Sequence, residues 1–147
     1  MTTWRPKLSE QDVSPGRDLL NSVFGNNDNA VQRIDTGFEA DVLEKFLRAA
    51  PDASQNLNDV LKISPRTLTR RRSEGRFSSA ESDRFYRLVN LYAQAADVLG
   101  SVEAADEWMT SPALALEDAS PLAYSRNAAG AKRVERLLLR LEHGVYS

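Results

Sequence analysis

Between Ser78 and Gly100 the chain carries Phe85, Leu88, Val89, Tyr92, Ala96 and Leu99 at helical intervals, one apolar stripe without interruption. Ser78 followed three residues later by Glu81 is a capping-box signature, and Gly100 supplies the stop. A helix of that length, at about 1.5 Å per residue, runs for close to 30 Å, about the width of a small domain. Everything else in a chain of 147 residues must be laid along it. No stretch alternates apolar and polar residues for long enough to argue a sheet, so the fold class is all-α.

Immediately before this helix stands the most charged stretch, Leu57 to Phe77, with Arg66, Arg70, Arg71, Arg72 and Arg76. Leu57, Val60 and Leu61 recur at helical spacing, Ile63 and Ser64 make a tight connection, and Pro65 sits where a second helix begins. Gly75 ends that helix. The pattern is a helix-turn-helix. Leu68 faces the core, while Arg66, Thr67, Arg70, Arg71 and Arg72 are the candidates for DNA contact, several of them pointing outward. Guanidinium groups neutralise phosphates and bind guanine edges bidentately, and a threonine bonds a base or phosphate or touches a thymine methyl. A solvated basic face is the plain reading of an arginine run. The apolar anchors, short turn and Pro65 together favour DNA.

The remaining elements fall into place around these two. Residues 1–17, with Pro6, Pro15 and Gly16, read as an arm or disordered leader in which Trp4 docks on the body or on a partner, the body being favoured. Asp18–Phe24 is a short helix and GNNDNA a loop. Phe38, Val42, Leu43, Phe46, Leu47 and Ala50 mark a helix stopped by Pro51, its apolar stripe packed on the helix-turn-helix, with Asn56 the N-cap of the motif's first helix. After Gly100, Ser101–Met109 forms a helix with Val102, Ala105 and Trp108 on one side. Pro112 and Pro121 then bracket an irregular stretch holding Leu114 and Leu116. Asn127 caps a last helix whose stripe is Val134, Leu137, Leu138 and Leu141, with Arg133, Arg136 and Arg140 elsewhere and Gly144 as the stop. This divides the chain into an arm and short helix (1–36), a helical DNA-binding domain (37–99) and a C-terminal domain (100–147).

Composition excludes more than it assigns. There is no cysteine, hence no disulfide framework or thiolate metal site. The first residues lack the apolar core of a signal peptide, and no apolar run approaches the roughly 20 residues of a membrane span, so a cytoplasmic protein without membrane contact is expected. The single histidine, His143, stands at a helix end, where the dipole favours it, with no nucleophile or metal partner at a recognisable spacing. The glycines are scattered, not gathered into a phosphate loop, and Asp106 and Glu107, adjacent on a helix, diverge. No enzyme, cofactor or metal is indicated. The net charge of −2 hides an uneven spread: residues 57–92 carry eight Lys/Arg against four Asp/Glu, residues 93–131 one against six. One part suits a polyanion, and the acidic part suggests a second partner.

Several of these residues also carry a family resemblance. The alanine-rich helix end running into Val98-Leu99-Gly100, Ala105 and Trp108, Pro112 and Leu116, Pro121-Leu122, Gly130, Val134, Leu138 and the ending His143-Gly144-Val145-Tyr146 resemble the toxin-binding domain of the Xre/MbcA/ParS antitoxins. Arg66-Thr67-Leu68 and Glu81-Ser82-Asp83-Arg84 resemble the Xre-like DNA-binding domain of the same proteins. The likeness covers about residues 57–147, with two departures: the family's glycine-containing turn falls near Glu117-Asp118, and a threonine is frequent where Asn127 stands.

The resemblance implies a type II toxin–antitoxin protein encoded beside a RES-domain toxin that degrades NAD. It implies a homodimer on a palindromic operator that represses the operon, and a C-terminal domain covering the toxin, whose chain end blocks the active-site cleft. Toxin contact then falls to Trp108, Arg136, Arg140, His143, Val145, Tyr146 and Ser147. For Tyr146 two placements stand level, an aromatic plug in the toxin cleft or packing on its own helix. A stand-alone helix-turn-helix regulator whose C-terminal helices dimerise or sense a ligand is the competing function.

Overall fold

The computed structural model describes residues 14–26 and 28–144; Trp4 and the chain end Val145, Tyr146 and Ser147 lie outside the described residues. Among the described residues the fold is all-α, nine α-helices with two 3-10 turns: α1 Pro15–Phe24, α2 Ala30–Thr36, α3 Asp41–Ala49, a 3-10 turn Pro51–Asn56, α4 Leu57–Leu61, α5 Pro65–Glu74, α6 Ser79–Leu99, α7 Val102–Met109, a 3-10 turn Leu114–Leu116, α8 Pro121–Tyr124 and α9 Ala128–Glu142.

Helix α6 is the axis, as its stripe predicts. Both halves of the capping box form, the Ser78 hydroxyl accepting from the Glu81 amide and the Glu81 carboxylate accepting from the Ser78 amide, and Gly100 closes the helix in the left-handed region. The burial is wider than one stripe. Leu91, Ala93 and Ala95 are buried beside Phe85, Leu88, Val89, Tyr92 and Ala96 because α1, α7 and α9 pack around the helix. Phe46 of α3 sets its ring edge-on against Phe85 and Tyr92, at centroid distances of 5.6 and 5.0 Å. One apolar core runs from Leu19 of α1 to Leu138 of α9.

Four boundaries differ from the sequence reading, two of them through a tertiary partner. Pro15, Gly16 and Arg17 belong to α1 and not to an arm: Ser14 caps it, Pro15 takes the first turn, and Asp97 of α6 accepts from both the Ser14 hydroxyl and the Gly16 amide, at 2.7 and 2.8 Å. The second half of the expected 25–30 loop runs into an unforeseen helix, α2. Phe38 precedes its helix, since residues 38–40 take backbone partners from 75–77: Phe77 N–H donates to Phe38 O, Ala40 N–H to Gly75 O, and Glu39 bridges Arg76. Asn56 makes no side-chain cap, because residues 51–56 are already wound as a 3-10 turn. The stripe of α3 goes chiefly to α1, that turn and the α6 aromatics.

The C-terminal third holds one further correction. On α7 the buried positions are Ala105, Asp106 and Met109, with Val102 and Trp108 half-buried. Leu116 is completely buried under the loop between Pro112 and Pro121. That loop turns through Glu117 and Asp118, at φ of 60° and 68°, in the left-handed region that glycine favours. Two adjacent side chains in the left-handed region cost about 1 kcal/mol each, so the loop keeps the glycine geometry at the expense of strain. Asn127 caps α9 by accepting from the Gly130 amide at 2.8 Å. Val134 and Leu138 are buried, Leu137 and Leu141 half-buried.

Candidate functional site

The helix-turn-helix is α4, the turn 62–64 and α5. Its turn is closed by Lys62 in the left-handed region, by Ile63 N–H donating to Asn58 O and by the Asn58 amide returning a bond to Ile63 O at 3.0 Å. Arg84 of α6 donates to the Leu61 carbonyl at 2.9 Å, holding the end of α4 against the axis. Ser64 then caps α5, its oxygen accepting from the Thr67 amide, and Pro65 occupies the first turn. Gly75 at φ 90° ends the helix, a position where a side chain is strained. Each local signal thus aims α5 outward from a fixed base.

The five candidate DNA residues separate by face. Arg66 and Arg70 project into solvent together with Thr69 and Ser73, at spacings of three, four and seven residues. Arg66 makes no hydrogen bond or ion pair with any described residue. Arg70 is 3.7 Å from the Glu74 carboxylate, an exposed contact that solvent screens. Thr67 is half-buried beneath Ser64, whose hydroxyl donates to its side-chain oxygen. Arg72 is exposed on the flank, 2.9 Å from Glu44 of α3. Arg71 turns inward. Its Nε and Nη2 donate to the two Glu81 oxygens at 2.8 and 3.0 Å, and Nη1 reaches Glu74 at 3.3 Å. The hydrogen bond and charge of Glu81 hold the Arg71 guanidinium above its ordinary pKa. Burial pushes the Glu81 carboxyl up, but the bonds from Arg71 and from the Ser78 amide outweigh it and hold it below the usual carboxylate range.

Thr69 and Ser73 were missing from the sequence reading. They sit three and seven residues after Arg66, so helical spacing from the freest arginine was the signal that finds them. Arg70, Arg71 and Arg72, named with Arg66 and Thr67 from the sequence, are adjacent along the chain and so diverge on a helix.

Asp106 is a second residue that sequence reasoning set aside. It does diverge from exposed Glu107, but inward: Tyr92 O–H donates to Oδ1 at 3.0 Å and the Asp52 N–H to Oδ2 at 2.9 Å. One carboxylate joins α6, α7 and the turn that leads into α4. Burial raises its pKa, the Asp52 amide and Tyr92 hydroxyl opposing that rise and the Asp52 charge adding to it. Its signal was a carboxylate four residues after Val102, on the apolar side of α7. Of the six acidic residues of 93–131, Asp106 is buried and Asp97, though exposed, is engaged with α1, so the acidic surface is smaller than charge alone suggests by one residue.

On the C-terminal helix Arg136, Arg140 and the exposed His143 at the C-cap lie at spacings of four and seven on one solvent face. Trp108 is half-buried on α7, a separate element. Among the described residues no group of three or more His, Asp or Glu could hold a metal ion, and no helix is long and apolar enough to cross a membrane.

Two family descriptions match this chain. Residues 30–90 match the antitoxin Xre-like helix-turn-helix domain, and residues 94–144 match the antitoxin Xre/MbcA/ParS C-terminal toxin-binding domain. An antitoxin Xre of Yersinia enterocolitica is 36% identical over 119 residues, 80% of each chain. An antitoxin Xre of Photorhabdus laumondii is 28% identical over 128 residues, 86% of this chain and 85% of that one.

Proposed function

The chain belongs to the Xre/MbcA/ParS antitoxins, and from that premise we propose that it neutralises a RES-domain, NAD-degrading toxin by direct binding and represses its own operon in a type II system. An antitoxin of a toxin–antitoxin pair with a helix-turn-helix domain needs two surfaces, and this chain offers two. The solvent face of α5 supplies the first: Arg66 and Arg70 meet phosphates or guanine edges, and Thr69 and Ser73 reach bases beside them. Thr67 positions the helix start, Arg71 braces the helix from behind, and Arg72 joins the contact when it leaves Glu44. Binding is as a homodimer on a palindromic operator, with half-site spacing set by the protein's own two-fold symmetry.

The second surface is the α9 face of Arg136, Arg140 and His143, with Trp108 and the chain end Val145, Tyr146 and Ser147. The chain end occludes the toxin's active site. The observation that carries this reading is the match of residues 94–144 to a toxin-binding domain, on which three of these residues share one exposed helix face. The test is co-expression with the product of the adjacent reading frame, followed by pull-down and a cellular NAD assay. A stable complex with NAD preserved is expected, and deletion of residues 142–147 is expected to abolish protection while operator binding survives. Absence of any complex, with NAD unaffected, returns the chain to a stand-alone regulator.

A further inference from the structure

Leu114 is 88% exposed, the most exposed of the large apolar side chains among the described residues. A lone apolar residue at a surface is ordinary, but the loop that carries Leu114 is not an ordinary surface loop. Its ends are joined by Ala113 N–H donating to Ala119 O, and its interior by Asp118 N–H to Ala113 O and Glu117 N–H to Leu114 O. Leu116, two residues away, roots it in the core at 0% exposure. The strained pair Glu117-Asp118 closes it.

The loop is also tied to α9. Arg133 donates to the Ala115 carbonyl at 2.9 Å and to the Tyr124 hydroxyl at 3.1 Å, its guanidinium lying over the Tyr124 ring. Arg133 therefore places Leu114 beside the start of a cationic track, with Arg136 and Arg140 one and two turns further along the same helix. The loop that carries the apolar knob is thus bonded to α9 through Arg133. Strain confined to a rigidly braced segment is a mark of functional surfaces, and a knob ordered beforehand has little conformational entropy to lose on binding.

We propose that Leu114 is the apolar anchor by which residues 94–144 seat on the toxin, entering a pocket of the toxin whose rim, on the side facing Arg136 and Arg140, carries carboxylates. This rests on the antitoxin reading above and adds to it the residue and the partner chemistry. Leu114 is followed in its loop by the exposed Glu117 and Asp118 and precedes the carbonyl that Arg133 of α9 holds, so polar contacts can form around an apolar anchor that excludes water from them.

The experiment measures affinity of the full chain for the adjacent-frame product by calorimetry. Compared with the unsubstituted chain are Leu114→Ala, Leu114→Asp and Val31→Asp, the last altering another exposed apolar residue, in α2 at 69% exposure. Leu114→Ala is expected to weaken binding about tenfold and Leu114→Asp more than about a hundredfold, from the lost burial of one leucine side chain and the charge set against acidic groups. Val31→Asp is expected to leave affinity unchanged, and all three variants to keep the parent melting temperature, since neither residue is packed. Equal affinity for Leu114→Asp and the parent overturns the anchor while leaving the antitoxin reading intact. Equal losses from Leu114→Asp and Val31→Asp also overturn it. Failure of the parent chain itself to bind removes both.

Discussion

Replacing Arg71 by alanine should disturb stability more than DNA affinity, because the guanidinium serves the protein's interior. Its partner Glu81 has a side chain 9% exposed, and Arg71 itself is 21% exposed. The substitution removes two bonds of 2.8 and 3.0 Å from a carboxylate that keeps only the Ser78 amide at 2.8 Å. Breaking a fully buried pair costs about 3–5 kcal/mol; with one partner a fifth exposed, about 2–3 kcal/mol is expected. For a chain of this size that lowers the melting temperature by about 5–10 °C. The pH dependence follows from the depressed Glu81 value. A carboxyl held lower in the folded state than in the unfolded one contributes stability above the unfolded value, about 4.3, and loses it as pH falls through the folded value. Arg71→Ala should therefore flatten the acid side of the stability profile. Thermal melts followed by circular dichroism over a pH series read the first effect. Operator titrations over a salt series read the second: the salt slope should be unchanged in Arg71→Ala and reduced by about 0.9 in Arg70→Ala if Arg70 meets one phosphate. An Arg71→Ala protein that melts with the parent and loses a unit of salt slope would refute the brace and place Arg71 on the DNA.

Gly130→Ala should cost about 3 kcal/mol, since a methyl group there would lie 1.8 Å from the Tyr124 carbonyl oxygen and displace the Asn127 cap; denaturant unfolding checks it, and a loss below about 1 kcal/mol would mean that α8 yields easily. Asp106→Asn should cost about 1–3 kcal/mol because an amide offers one acceptor where Tyr92 O–H and Asp52 N–H need two. In the parent, the raised Asp106 value gives a contribution fully present below the unfolded value of about 3.9 and lost as pH rises through the folded one. Melting temperatures of both proteins across that interval should differ in slope, and parallel profiles would exclude Asp106 as the titrating group.

What the linear sequence determined is whatever depends on near neighbours. The Ser78–Glu81 box, the Asn127 cap, Pro65 opening α5 and Gly75 and Gly100 closing helices are all made within a turn or two, so spacing alone finds them. The long stripe of α6 likewise had one solution. Tertiary structure decided the rest. Phe38 looks helical by spacing but stays outside the helix, because residues 75–77 offer it backbone partners that lie far away in sequence. Ser14 to Arg17 look like a leader until Asp97 is found beneath them. Arg71 and Arg70 are neighbours with like charge and equal reach, and nothing local tells them apart. A helix turns about 100° between them, and only the fold puts Glu81 on one side and water on the other.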